Sequence, residues 1–242
     1  MTLRMNMEKE IYNVLRDWKA VLLSVSVPVL SILVYSSTSA ANISYKGFPI
    51  NPTAIMCTLP ILFSALFVSS SSIVREKMMG TLSRLAKTPL SSVQFLLSKL
   101  VANSLVSVIQ AVLLVILASE LLSDISANDA PMIFLIILLL AVVSHAIGLL
   151  ISAVSSTDQQ ALSLMCLYVM MTIVLSGIIS IGSMPAFMTA VSNYSPYTHA
   201  YQALKSYIDG NMLSTFTFTS YLFIDIVIFF AMAWIVISAS KR

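Results

Sequence analysis

Six long apolar runs constrain this chain more than any other feature. They occupy residues 20–41, 53–74, 93–119, 131–154, 161–181 and 219–239, and across all of them the only charged side chains are Lys99 and Asp225. Each run is long enough for an α-helix, rising about 1.5 Å per residue, to cross a hydrocarbon layer of about 30 Å. Strands of a membrane barrel would alternate in segments of about 10 residues, whereas Ile133 to Val143 is apolar without a break. With only 10% of its residues charged, the chain also lacks the roughly 25% that lets a globular surface hold water. The expected class is therefore all-α, a polytopic membrane protein with six transmembrane helices in a single domain over residues 1–242.

Orientation follows from the basic residues, which cytoplasmic loops retain. With the N-terminus inside, 11 of the 13 Lys and Arg fall on the inner side and only Lys46 and Lys205 on the outer. Both termini are thus expected in the cytoplasm. A net charge of +3, small and confined to the inner loops, gives no basic face for nucleic acid. Two cysteines offer no disulfide framework, and Cys57 and Cys166 fall at different depths of the second and fifth spans, so both are expected to be free thiols. The small residues Ser36 to Ala41 follow an apolar stretch as a cleavage site would, but Glu8, Glu10 and Asp17 precede that stretch, so no cleaved leader is expected.

Two segments outside the spans carry helical periodicity. In residues 3–19, Leu3, Met7, Ile11, Val14, Leu15 and Trp18 recur three or four apart, which predicts an amphipathic elbow helix lying in the inner headgroups with Trp18 as its anchor. Between the second and third spans, Met78, Leu82 and Leu85 share one face of a short helix over residues 76–88, while Lys77, Arg84 and Lys87 line another. Pro89 ends it, because proline lacks the N–H and restricts the residue before it. Ser91 and Gln94 then form a capping-box pattern that starts the third span. A helix tied to a span at each end would transmit a push to both. Gly80, having no Cβ, admits a close partner surface or an unusual backbone angle.

The string Arg75-Glu76-Lys77-Met78-Met79-Gly80-Thr81-Leu82-Ser83-Arg84-Leu85-Ala86-Lys87-Thr88-Pro89 resembles the cytoplasmic signature of the type 2 ATP-binding-cassette (ABC) permeases, the membrane subunits of mostly exporting transporters. The resemblance implies a coupling helix here, with Glu76, Gly80, Thr81, Leu82, Arg84, Thr88 and Pro89 at matching positions. Met78, Met79, Ser83 and Lys205 stand where the family often has charged residues or arginine. A second resemblance, at Gly177, Met184-Pro185 and Pro196, implies an outer helical hairpin over residues 182–207 that enters the membrane and returns before the last span. Phe187, Met188 and Val191 give that hairpin apolar surface.

The family further implies an ABC ATPase subunit and a second permease chain, identical or not, as partners in a lipid bilayer, in a prokaryotic plasma membrane. The chain has no Gly-x-x-x-x-Gly-Lys-Ser/Thr phosphate loop, so it is expected to bind no cofactor of its own, ATP and magnesium belonging to the partner subunit. The expected function is that of an exporter permease that is not itself catalytic. A pore or assembly scaffold without ATP coupling remains an alternative, and so does an intramembrane enzyme. The enzyme reading is poorly supported, because His145 and His199 are the only histidines and neither has a second ligand at metal-binding spacing. Lys99, six residues into its span, can snorkel to the headgroups. Asp225 is the candidate pathway residue, since a buried acid in a span is costly and marks a pathway or a partner. Its simpler reading is local pairing with a group of the outer hairpin.

Overall fold

The computed structural model describes residues 3–40, 51–81, 91–122, 125–176 and 186–240. The described residues form ten α-helices: α1 (Leu3–Arg16), α2 (Trp18–Ala40), α3 (Pro52–Ser70), α4 (Ser72–Met78), α5 (Ser92–Leu121), α6 (Ala130–Val154), α7 (Asp158–Leu175), α8 (Ala186–Ser192), α9 (Pro196–Ile208) and α10 (Met212–Ser240). Five stretches are long and apolar enough to cross a membrane: Pro52–Met78, Ser92–Leu121, Ala130–Val154, Asp158–Leu175 and Met212–Ala239. The first expected span corresponds to α2, whose apolar part Ser24–Ser37 is shorter.

The helices begin where side chains can satisfy free backbone donors. Asn51 accepts from Thr53 N and Ala54 N at 3.0 and 3.3 Å to start α3, with Pro52 in the first turn, where its missing N–H costs nothing. The capping box at α5 is present in full, Gln94 N to Ser91 Oγ and Ser91 N to Gln94 Oε1 both at 3.2 Å. Thr157 Oγ1 accepts from Gln160 N at 3.2 Å to start α7. Pro28 and Pro60 lie inside continuous helices. The second span breaks at Ser71, between α3 and α4.

Helix α6 is the hub, packing on α3, α10, α5, α9 and α7. Its apolar positions Ile133, Ile136, Ile137 and Leu140 join Ile61, Leu62 and Leu66 of α3 in the main core. Gly148 lies against Leu66 and Ser69 of α3 and Ser152, one turn further, against the start of α4, small residues that let backbones approach closely where lipid supplies no hydrophobic drive between helices. At the end carrying α1, a smaller cluster of Ile73, Phe95, Leu149, Ala233 and Ile237 closes the bundle.

Two boundaries differ from expectation. Helix α10 starts at Met212, seven residues before the apolar run, because Asn211 can accept from Ser214 N at 3.2 Å. The expected helix over 76–88 does not begin at Glu76: residues Glu76 to Met78 finish α4, and Met79 and Gly80 form a turn, Gly80 at a φ of +66° that non-glycine residues resist. A new helical stretch opens at Thr81, and Leu82, Arg84, Leu85, Thr88 and Pro89 lie outside the described residues. So do Gly177, Met184 and Pro185 of the expected hairpin; its described part is α8, a turn at Asn193–Tyr194 and α9.

Candidate functional site

At the α1 end of the bundle, three charged side chains meet below the surface and a fourth joins them from it. Lys99 Nζ lies 3.0 Å from Glu10 Oε2 and 3.1 Å from Glu76 Oε1, and the three side chains are only 4%, 5% and 13% exposed. Lys9 completes the cluster at 3.3 Å from Glu10 and 3.5 Å from Glu76. Lys99 therefore does not snorkel outward; two carboxylates turn it inward, and its ammonium sits 5.2 Å from the Phe95 ring centre. Burial alone would raise the Glu10 carboxyl, but Lys99 and then Lys9 outweigh it and hold the group below its ordinary value. Removing one member of such a buried set leaves an uncompensated charge, at a cost of about 3–5 kcal/mol.

The cluster fastens three elements that are far apart in sequence. Glu10 comes from the elbow helix α1, Glu76 from α4 just before the Gly80 turn, and Lys99 from α5. Helix α1 turns the polar positions Asn6 and Glu10, one turn apart, into the bundle, with Asn6 Nδ2 donating to Ser98 Oγ of α5. Met7, Ile11 and Val14 of its apolar stripe are half-buried, and Trp18, at the start of α2, is exposed, as suits an amphipathic helix at a lipid interface. Beside the cluster a cavity of about 530 Å³ opens between α1, α2, α3, α4 and α5, with Phe67 and Val106 in its walls and the Arg75–Asp17 ion pair, 3.4 Å, among its lining residues.

Lys77 faces the other way. Its ammonium donates to the carbonyls of Ala153 and of Ser155, the latter at 3.1 Å, so it neutralises the free carbonyl end of α6. This corrects the expectation that Lys77 lines an outward basic face with Arg84 and Lys87. In return, Ser152 Oγ of α6 accepts from Ile73 N and Val74 N at 2.8 and 3.0 Å, donors left free by the break at Ser71. Met78, Met79 and Gly80 are exposed, and Thr81 Oγ1 donates to Glu76 O at 3.0 Å, bracing the turn.

Midway along the bundle His145 is wholly buried, its Nδ1 2.6 Å from Ser69 Oγ and its Nε2 2.7 Å from Ser107 Oγ; Asn103 Nδ2 donates to Ser69 Oγ at 2.8 Å. This network joins α3, α5 and α6 and satisfies every member, which accounts for a polar residue in a span without invoking chemistry. At the end carrying α9, Asp225 of α10 pairs with His199 of α9, Nδ1 to Oδ2 2.7 Å. Asp225 is thus held by the described part of the hairpin, the simpler of its two readings, rather than standing alone in a span. Among the described residues no group of three His, Cys, Asp or Glu is placed to hold a metal ion, and Cys57 and Cys166 are both free.

Sequence reasoning placed Glu76, Lys77, Met78, Gly80 and Thr81 in one segment, and the structure keeps them there while splitting their roles. Glu76 and Lys77 anchor the segment, whereas Met78, Met79 and Gly80 face outward. It missed Glu10 and Lys99 as a pair. The available signal was that both Asn6 and Glu10 interrupt the α1 periodicity one turn apart, at the same end of the bundle as the only basic residue inside a span.

Residues 1–208 match the family model of the ABC-2 type transporter. Over 173 residues the chain is 28% identical to the probable multidrug ABC transporter permease YbhR of Escherichia coli K12, a match covering 71% of this chain and 46% of that one. The ABC transporter G family member 20 of Dictyostelium discoideum is 27% identical over 142 residues, 58% of this chain and 20% of that one. The chain spans less than half the length of these curated relatives.

Proposed function

The chain belongs to the ABC-2 type transporter family, and from that premise we propose that it is the permease subunit of an ATP-driven exporter whose hydrolysis takes place on a separate ATPase chain. In this reading two permease chains stand side by side, both termini and the Gly80 turn face the cytoplasm, and the ATPase docks under the segment from Glu76 to Pro89. The α9 end then faces outward, and the hairpin over 182–207 caps the pathway. Substrate class is not written in any side chain; the name of the E. coli relative makes small drug-like molecules the first to try.

The observation that carries this reading is the division of labour around Gly80. Glu76 is tied to α1 and α5, and Lys77 to the end of α6, while Met78 and Met79 are exposed immediately beyond. A force applied to the exposed residues reaches three helices within one turn of chain. A free interfacial helix held by anionic lipid, at about 1 kcal/mol per basic residue, would have no need of such anchors.

The test is co-purification with a candidate ABC ATPase subunit from the same source, followed by assay of hydrolysis and transport. Leu82→Asp and Gly80→Val should each abolish ATPase binding or uncouple hydrolysis from transport, while the permease still inserts and folds. A double variant that binds the ATPase and transports normally would refute the assignment.

A further inference from the structure

The His199–Asp225 pair has an unusual proton count. His199 Nδ1 lies 2.7 Å from Asp225 Oδ2 and His199 Nε2 lies 2.9 Å from the carbonyl oxygen of Asn193. A backbone carbonyl can only accept, and an ionised carboxylate can only accept. With Asp225 ionised, both contacts are satisfied only when both ring nitrogens carry hydrogen, that is, when His199 is an imidazolium. The positive ring and the carboxylate, each side chain 10% exposed, then form a neutral pair, which is how charge is tolerated at membrane depth.

Loss of one proton to water breaks this arrangement. A neutral imidazole has a single N–H. It can serve Asp225 or Asn193 but not both, so either α9 parts from α10 or the turn joining α8 to α9 is released. A third group stands ready for the second state. The Tyr168 hydroxyl of α7 is buried and forms no hydrogen bond of good geometry among the described residues; it interacts with the Thr172 side chain, and the Asp225 charge acts on it through space. A buried donor without a well-formed bond carries part of the cost of an unsatisfied group, about 1–3 kcal/mol, and calls for an explanation. A carboxylate that has lost its imidazolium supplies one.

We propose that His199, Asp225 and Tyr168 form a proton-binding site: loaded with one proton it fastens the α8–α9 turn to α10, and on releasing that proton to water it frees the turn while Asp225 takes the Tyr168 hydroxyl as its donor. Among the described residues, Tyr221 from α10, whose ring centre is 5.2 Å from that of His199, and Tyr168 from α7, on which the Asp225 charge acts, are titratable groups near the pair. Helices α3 and α6 also pack here and bring no carboxylate or basic chain toward it: Cys57 lies in the apolar core, and His145 is held by Ser69 and Ser107. The proposal is independent of ATP coupling, since it concerns only this chain and the proton.

The chain has only two histidines, so ¹⁵N-imidazole NMR of the whole protein in lipid bilayers resolves His199 once a His145→Asn sample identifies the other signal. Titration from about pH 5 to about pH 10, a range bracketing the ordinary histidine value, should show a doubly protonated His199 giving way in one step to a neutral form. Amide exchange across residues 193–199, corrected for its intrinsic pH dependence, should rise over the same step. Asp225→Asn should abolish the imidazolium form at neutral pH. Tyr168→Phe, which withdraws the donor awaiting the deprotonated state, should move the midpoint upward by about one unit, the equivalent of one hydrogen bond to a charged group. The proposal is overturned if His199 keeps one protonation form throughout, if its titration is unchanged in Asp225→Asn and in Tyr168→Phe, or if exchange in the turn ignores the step.

Discussion

Gly148 of α6 faces Ser69 of α3 so closely that a Cβ built at position 148 would sit 2.6 Å from the Ser69 Cβ and 3.3 Å from the Leu66 carbonyl oxygen. Two backbones in contact cannot absorb a methyl group by rotating a side chain. Gly148→Ala should therefore push α3 and α6 apart and lower stability by about 1–3 kcal/mol, the usual cost of overpacking. Because Ser69 also holds His145 Nδ1, the same variant should loosen the polar network. Thermal unfolding in detergent, compared with Met171→Ala at an exposed position of α7, checks the steric part; a fall for Gly148→Ala no larger than that of the exposed variant would refute it.

Replacing Lys99 leaves two carboxylates facing each other with only Lys9, 39% exposed, to balance them. Lys99→Met is expected to cost about 3–5 kcal/mol. Adding Glu10→Gln and Glu76→Gln should recover most of that loss, since the neutral trio leaves no unpaired buried charge. Unfolding midpoints of the single and triple variants decide the matter, and a triple variant as unstable as the single one would mean that packing, not charge, explains the loss.

The junction of α1 with α5 should weaken in acid. The Glu10 carboxyl is held below its ordinary value of 4.5 in the folded chain, so its contribution is fully present above that value and is lost as pH falls through the lower, folded one. Limited proteolysis of α1 should accelerate in that acid window while the core helices stay protected. In Glu10→Gln the extra acid sensitivity should vanish.

Cys57 is fully buried in the core and Cys166 is exposed on α7. A small membrane-permeant thiol reagent should modify Cys166 readily and Cys57 only on unfolding, and non-reducing mass analysis should show no internal disulfide. Equal rates at the two positions would contradict the packing of α3 against α6.

Much of the fold is legible from chain chemistry because its determinants are local. An apolar run long enough to cross lipid must close its hydrogen bonds internally, and the Ser91–Gln94 box or the Asn51-Pro52 start is written in adjacent letters. The Glu10–Lys99 contact bridges 89 residues, and no local pattern says which acid a buried lysine will find. His199 and Asp225 are each conspicuous alone, yet only the return of α9 against α10 brings them together. Lys77 reads as one more surface cation until the end of α6 is placed beneath it. The helix boundary at Met78 escapes the sequence for a related reason: the 3.6-residue periodicity runs on through a glycine whose positive φ ends the helix.

Helices α3 and α4 together, and α6, have 72% of their apolar windows buried, whereas α7 and α10 have 22%. Inherited variation should follow that division. On α7, positions such as Leu167, Met170 and Met171, all exposed, can exchange among apolar residues without altering an internal contact, so this helix is free to diverge with the lipids or neighbouring chains of its host membrane. Changes along the α3–α6 seam must instead arrive in compensating pairs, and relatives of this chain should be recognisable by that seam long after their outer helices have ceased to align.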